Sequence, residues 1–326
     1  MRLLLSPGDL GLPPIALSGR MATSGETADS PLITRCSCCL VNSLADELKE
    51  TTLEPFRERT ARNGVTYLHR GGEEICFVLL HGIGSRGSSF VSFADALPPS
   101  AEIVAWDAPG YGSSAPLAQA WPVAADYAAA LAVLLDELGD SRAIVVGHSL
   151  GTLIATSYAR NFGAQGLVLM SPALGHGAPQ GGPMPEAAQA RLDAFERLGA
   201  AGLAKSRALQ LIHEPSAKPD LLTEVSRTLA TMRQPGYGQA VRMLASGRLL
   251  DDVAATKAAC LIVCGEADSI TPPSMAMRVH AACRARANAA ETCLRLVPNA
   301  GHMIYLEARE VVAAELRNFA AKAQGG

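Results

Sequence analysis

Ala143-Ile144-Val145-Val146-Gly147-His148-Ser149-Leu150-Gly151-Thr152, continuing without proline to Phe162, is the stretch that decides how this chain folds. A short β-branched run is followed by a serine between two glycines and then by a helical pattern, which reads as strand, sharp turn, helix. At such a turn the serine is held in a strained backbone conformation with its hydroxyl above the sheet. Glycines on either side remove side chains that would clash there. The amide of Leu150 falls at the helix N-terminus, where partial positive charge is available. In a chain with 30 glycines the pentapeptide alone is weak; the flanking strand and helix give it weight.

Outward from this point, short apolar runs alternate with helical patterns, the signature of a mostly parallel central sheet flanked by helices, an α/β fold. The runs are 76–80, 103–106, 143–146, 167–170, 261–263 and 293–297. Tyr127, Leu131, Leu134 and Leu138 recur at helical spacing and Gly139 can end that helix. Val65 to His69 and Ile75 to Leu80 flank Gly71 and Gly72 and read as a hairpin. Residues 1–43, rich in Pro, Gly and Ser, read as a flexible leader. The core is expected over 44–173 and again over 256–326. Between them, residues 174–255 show helical patterns only, so a helical cap insertion is expected; a lid and a fixed surface loop both fit it.

Composition narrows the function classes. Among 326 residues, 28 basic and 31 acidic side chains leave a net charge of −3, with no basic excess for nucleic acid. No apolar run reaches the roughly 18 residues that span a bilayer, and Leu3–Leu5 is cut short by Ser6, Pro7 and Asp9. The eight cysteines form no regular framework, which favours reduced thiols and a cytoplasmic protein. Cys36 and Cys39 have CxxC spacing but no second ligand pair follows, so neither metal nor other cofactor is expected.

A neutral serine hydroxyl is a poor nucleophile and needs a base, itself oriented by a third group. Asp268 follows the run 261–263 and His302 follows 293–297, so both sit at carboxyl ends of strands. Parallel strands bring those ends to one edge, where Ser149, Asp268 and His302 can meet. Glu266 is an alternative acid. At the same edge, His81-Gly82-Ile83-Gly84 follows 76–80. The amides of Ile83 and Leu150 are candidates to hold an oxyanion, although a plain glycine turn also explains that loop. Asp107 reads as a loop-fixing carboxylate, while His148 and His81 read as packing or loop-bonding residues.

HGIG at 81–84, WDAPGYGSS at 106–114, GHSLG at 147–151, GEADSITP at 265–272 and NAGHMIYLE at 299–307, in that order, resemble the α/β-hydrolase fold family over about residues 63–326. The resemblance implies Ser149 as nucleophile, His302 as general base and acid, Asp268 as orienting carboxylate and the Ile83 and Leu150 amides as oxyanion hole. It implies a small ester, lactone or related acyl substrate cleaved through an acyl-enzyme. Alternatives within reach are a carbon–carbon hydrolase of the meta-cleavage type, which would want a cationic carboxylate anchor such as Arg191 or Arg233, and a non-catalytic receptor on the same scaffold. Relatives with aspartate at the turn, the haloalkane dehalogenases and epoxide hydrolases, are disfavoured.

Overall fold

A computed structural model describes residues 54–139, 143–286 and 291–324. The expected leader lies outside the described residues. Eight strands are described: β1 (Arg57–Thr60), β2 (Thr66–Arg70), β3 (Cys76–Leu80), β4 (Glu102–Trp106), β5 (Ile144–His148), β6 (Gly166–Met170), β7 (Ala259–Gly265) and β8 (Thr292–Val297). They form one sheet in the order β1-β2-β4-β3-β5-β6-β7-β8. From β4 to β8 every neighbour is parallel, and β1 and β2 are antiparallel additions at one edge.

All six apolar runs are strands. β3, β5 and β6 are buried along their whole length, which explains why they read as continuous hydrophobic segments rather than alternating ones. Side chains such as Val78, Val145 and Leu167 enter one core layer and Phe77, Ile144 and Val168 the other. Burial of each contributes roughly 1.5–3 kcal/mol.

The hairpin expectation is corrected. β2 pairs with β1 and with β4, not with β3; β4 lies between them, with Tyr67 opposite Trp106 and Val78 opposite Val104. The glycines serve a close approach instead of a hairpin turn. A Cβ on Gly72 would run into the backbone of Ala101 and Glu102, and the amides of Glu73 and Glu74 both donate to the Ser100 carbonyl. The local hairpin is β1–β2, whose register pairs Thr60 with Thr66.

Helices of seven residues or more are α1 (Ala124–Leu138), α2 (Gly151–Phe162), α3 (Glu186–Leu211), α4 (Pro219–Leu229), α5 (Gly236–Ser246), α6 (Leu249–Ala255), α7 (Pro273–Arg284) and α8 (Arg309–Gln324). α1 buries Tyr127, Leu131 and Leu134 and ends at Gly139 in the left-handed region, φ 70°, the helix stop its spacing calls for. At its other end the Asp126 carboxylate accepts the Val123 amide at 2.8 Å. α3 is broken at Gly199, where φ is 64° and ψ 176°. Between β6 and β7 the described regular elements are all helices, preceded by an irregular stretch over 171–185. Leu249 and Val253 of α6, however, join the core layer of α2 and the sheet.

Candidate active site

Ser149 occupies the turn between β5 and α2 with φ at 51°, a left-handed conformation that costs a non-glycine residue about 1–2 kcal/mol. Its amide donates to the Met170 carbonyl at 2.9 Å, anchoring the turn to β6. The surrounding glycines are steric necessities. A Cβ on Gly147 would lie 2.5 Å from the Gly151 carbonyl oxygen, and one on Gly151 would strike the Leu80 and His81 carbonyls. One on Gly82 would come within 3.0 Å of the Ser149 Cβ. Gly151→Ala is therefore expected to cost on the order of 3 kcal/mol, because the obstructing atoms are β3 backbone, and chemical denaturation of the variant checks it. An unchanged midpoint would contradict this packing.

The structure brings Asp268 and His302 together. His302 Nδ1 lies 2.9 Å from Asp268 Oδ2, and both residues are buried. The other carboxylate oxygen accepts the amides of Ile270 and Thr271, each at 2.9 Å. Thr271 Oγ1 donates to Asp268 Oδ2 at 2.9 Å and lies 3.2 Å from His302 Nδ1. Burial alone would raise the Asp268 pKa. The hydrogen bond and charge of His302 and the Thr271 amide outweigh it and hold the carboxyl well below the usual carboxylate range. Glu266, the alternative acid, is exposed.

With Nδ1 committed to Asp268, Nε2 is the His302 nitrogen left for the cavity. That cavity, of about 330 Å³, is lined by Ser149, His302, Ile83 and Leu150 together, with Asp268 behind the wall. The Ser149 hydroxyl makes no side-chain hydrogen bond among the described residues, and what unites it with His302 is this shared wall. The amides of Ile83 and Leu150 likewise donate to no acceptor among the described residues.

His81 holds the Ile83 loop rather than entering the cavity. Its Nδ1–H donates to the Gly82 carbonyl at 2.9 Å and its Nε2 accepts the Ala108 amide at 3.0 Å, an arrangement that fixes the neutral tautomer. Asp107 Oδ1 accepts the Gly87 amide at 2.7 Å and Oδ2 takes Arg86 at 3.3 Å, in keeping with a loop-fixing role.

His148 lines the same cavity and is tied to the backbone of His302. Its Nε2–H donates to the His302 carbonyl at 2.8 Å, and its ring lies 4.9 Å from those of His302 and Tyr305. Burial first, and then the neighbouring His302, push its pKa down to about 3. A histidine neutral when folded but titrating near 6.5 when unfolded leaves the unfolded chain holding more protons between those values. Stability conferred at neutral pH is thus lost as pH falls from about 6.5 towards 3, at up to about 1.4 kcal/mol per pH unit. Melting temperature measured from pH 7.5 to 4.5 should fall in the wild type and fall less steeply in His148→Gln; parallel profiles would refute the assignment.

Sequence reasoning missed Thr271, whose only signal is its position three residues after Asp268, and Arg207, which lines the cavity beside Arg191. Arg233 is exposed and does not reach it.

Among curated proteins, the chain is 35% identical to the dihydrolipoyllysine-residue acetyltransferase component of the acetoin cleaving system of Cupriavidus necator over 29% of this chain, and 26% identical to that of Pseudomonas putida over 75%. It spans only 25% and 63% of their respective lengths. A pimeloyl-[acyl-carrier protein] methyl ester esterase of Vibrio campbellii is 25% identical over 75% of this chain and 94% of its own. The enol-lactonase of Burkholderia xenovorans superposes with a TM-score of 0.69 at 19% identity, covering 81% of this chain and 99% of that one, a likeness of fold. Residues 77–315, most of the chain, match the Alpha/beta hydrolase family, and with the sheet order and the turn at Ser149 in agreement the chain belongs to that family.

Proposed function

We propose that this chain is a serine hydrolase cleaving a small carboxylic ester or lactone through an acyl-enzyme. The observation that carries the reading is the His302–Asp268 pair at 2.9 Å on the same cavity as a serine held at positive φ. Ser149 Oγ attacks the substrate carbonyl as His302 Nε2 takes its proton, and Asp268 holds the imidazolium through Nδ1–H. The developing oxyanion accepts hydrogen bonds from the uncommitted Ile83 and Leu150 amides; loss of one such donor typically costs about 3 kcal/mol. Collapse of the tetrahedral intermediate expels the alkoxide, which takes the proton back from His302. Water then loses a proton to His302 and attacks the acyl carbon, and collapse of this second intermediate releases the acid as His302 returns the proton to Ser149 Oγ.

In this reading the helices of 174–255 act as a lid that shapes the acyl site. Arg191 and Leu203 of α3, Leu229 of α4 and Tyr237 of α5 already form one side of the cavity. Gly175 and Gly177, at φ 77° and 69°, lie where such a lid would hinge. Cys260, Cys264, Cys283 and Cys293 carry free thiols, which suits a reducing cytoplasm. No described helix is long and apolar enough to cross a membrane.

The test is a fluorophosphonate label mapped by mass spectrometry, beside a panel of short esters, lactones and a vinylogous diketo acid. Modification of Ser149 with ester or lactone turnover supports the proposal. Labelling elsewhere, or turnover of the diketo acid alone, overturns it.

A further inference from the structure

Three arginines line the cavity without an ion pair among the described residues, Arg191, Arg207 and the exposed Arg278 of α7, and the first two lie on one helix. Arg191 lies in the first half of α3 and Arg207 in the second, and both share the wall with Ser149 and His302. Neither forms an ion pair among the described residues. Their neighbours are neutral: the Tyr237 hydroxyl lies beside Arg191, and Arg207 Nη1 donates to Gln210 Oε1 at 3.1 Å.

The two cations feel each other. Burial lowers the Arg191 pKa first and the like charge of Arg207 lowers it further. Both arginines also act on Tyr237, whose ring is stacked on Phe195 at 4.7 Å and so held in place. His176, at the exposed rim, is pushed towards its neutral form by burial and by Arg191. Glu224 of α4 lines the same cavity but lies beyond ion-pair distance of either arginine.

Paired like charges withdrawn from water cost free energy unless a counter-charge arrives. A guanidinium fork matches a carboxylate through two parallel N–H···O bonds, which orient the bound group as well as neutralise it. Nothing in the mechanism above uses this cluster, since proton transfer and oxyanion stabilisation are complete without it.

We propose that Arg191, Arg207 and the Tyr237 hydroxyl form an anion subsite for a carboxylate carried by the substrate, so that preferred substrates are half-esters of short dicarboxylic acids or lactones bearing a carboxylate. The assignment rests on Ser149 being the nucleophile, because the subsite selects among substrates for that chemistry. It places one negative group and one scissile carbonyl in a single cavity of about 330 Å³, which suits a short spacer between them.

The experiment compares kcat/KM for a monomethyl dicarboxylate with that for its isosteric primary amide, using wild-type protein, Arg191→Gln and Arg207→Gln, each also labelled with a fluorophosphonate. The wild type should favour the acid by at least about tenfold, and either variant should bring the ratio towards one. Equal values in the wild type overturn the subsite, whether or not the variants fold. A phosphate-bearing ester hydrolysed faster than the carboxylate ester overturns the choice of anion. Intact labelling of Ser149 without acid preference sinks the subsite alone, whereas labelling elsewhere sinks the nucleophile and the subsite with it.

Discussion

Ser149→Ala is expected to lower kcat by about a millionfold while substrate binding survives, because the cavity keeps every other wall residue. Two substitutions make the expectation sharper. Ser149→Gly should be as inactive as the alanine variant, yet it should unfold at a higher denaturant concentration. The residue sits at φ 51°, where alanine retains the backbone strain and glycine is relieved of about 1–2 kcal/mol of it. Activity of either variant within a hundredfold of wild type would remove the serine from the mechanism. An alanine variant more stable than the glycine one would contradict the strained turn.

Asp268→Asn should follow, with kcat down by about ten-thousandfold. The carboxylate is fixed from four directions, by the amides of Ile270 and Thr271 on one oxygen and by Thr271 Oγ1 and His302 on the other. An amide of the same shape must present either a donor or a weaker, uncharged acceptor to Nδ1, which disfavours the tautomer with its lone pair on Nε2 and leaves the imidazolium without a counter-charge. The sign of the stability effect follows from the same contacts. Because its folded pKa is depressed, Asp268 stabilises the fold fully above its unfolded value near 3.9, and that contribution is lost as pH falls through the lower folded value. The variant should therefore be less stable than wild type at pH 7, with the difference shrinking in acid. A kcat within tenfold of wild type, measured at saturating ester, would be incompatible with the proposed role.

Where the candidate residues lie was more legible in the chain than the order of the strands. Gly147 and Gly151 advertise the turn because only the absence of a Cβ allows Leu80 and the turn to approach. Asp268 and His302 were readable since each follows an apolar run whose end the parallel sheet delivers to the same edge. The misread hairpin shows the limit. Two strands separated by Gly71 and Gly72 carry a local signal for pairing, but which strand fills the sheet between them is decided by β4, more than twenty residues further on. Thr271 was obscure for another reason: a threonine after a strand is an ordinary turn residue until its hydroxyl is seen against Asp268.

The break at Gly199 governs more than the outline of α3. Along an uninterrupted helix, residues sixteen apart are rotated by about 160° and separated by about 24 Å, so Arg191 and Arg207 would look in nearly opposite directions. The change of direction at φ 64° is what lets both contribute to one concave wall. No neighbouring atom lies within 4 Å of a Cβ built at that glycine, so space is no obstacle to a larger residue there; only the handedness of the bend is. The polarity of the pocket is thereby written into a joint that touches none of its contents, and lineages of this protein could retune what they accept by straightening or re-angling an elbow rather than by exchanging the groups that do the gripping.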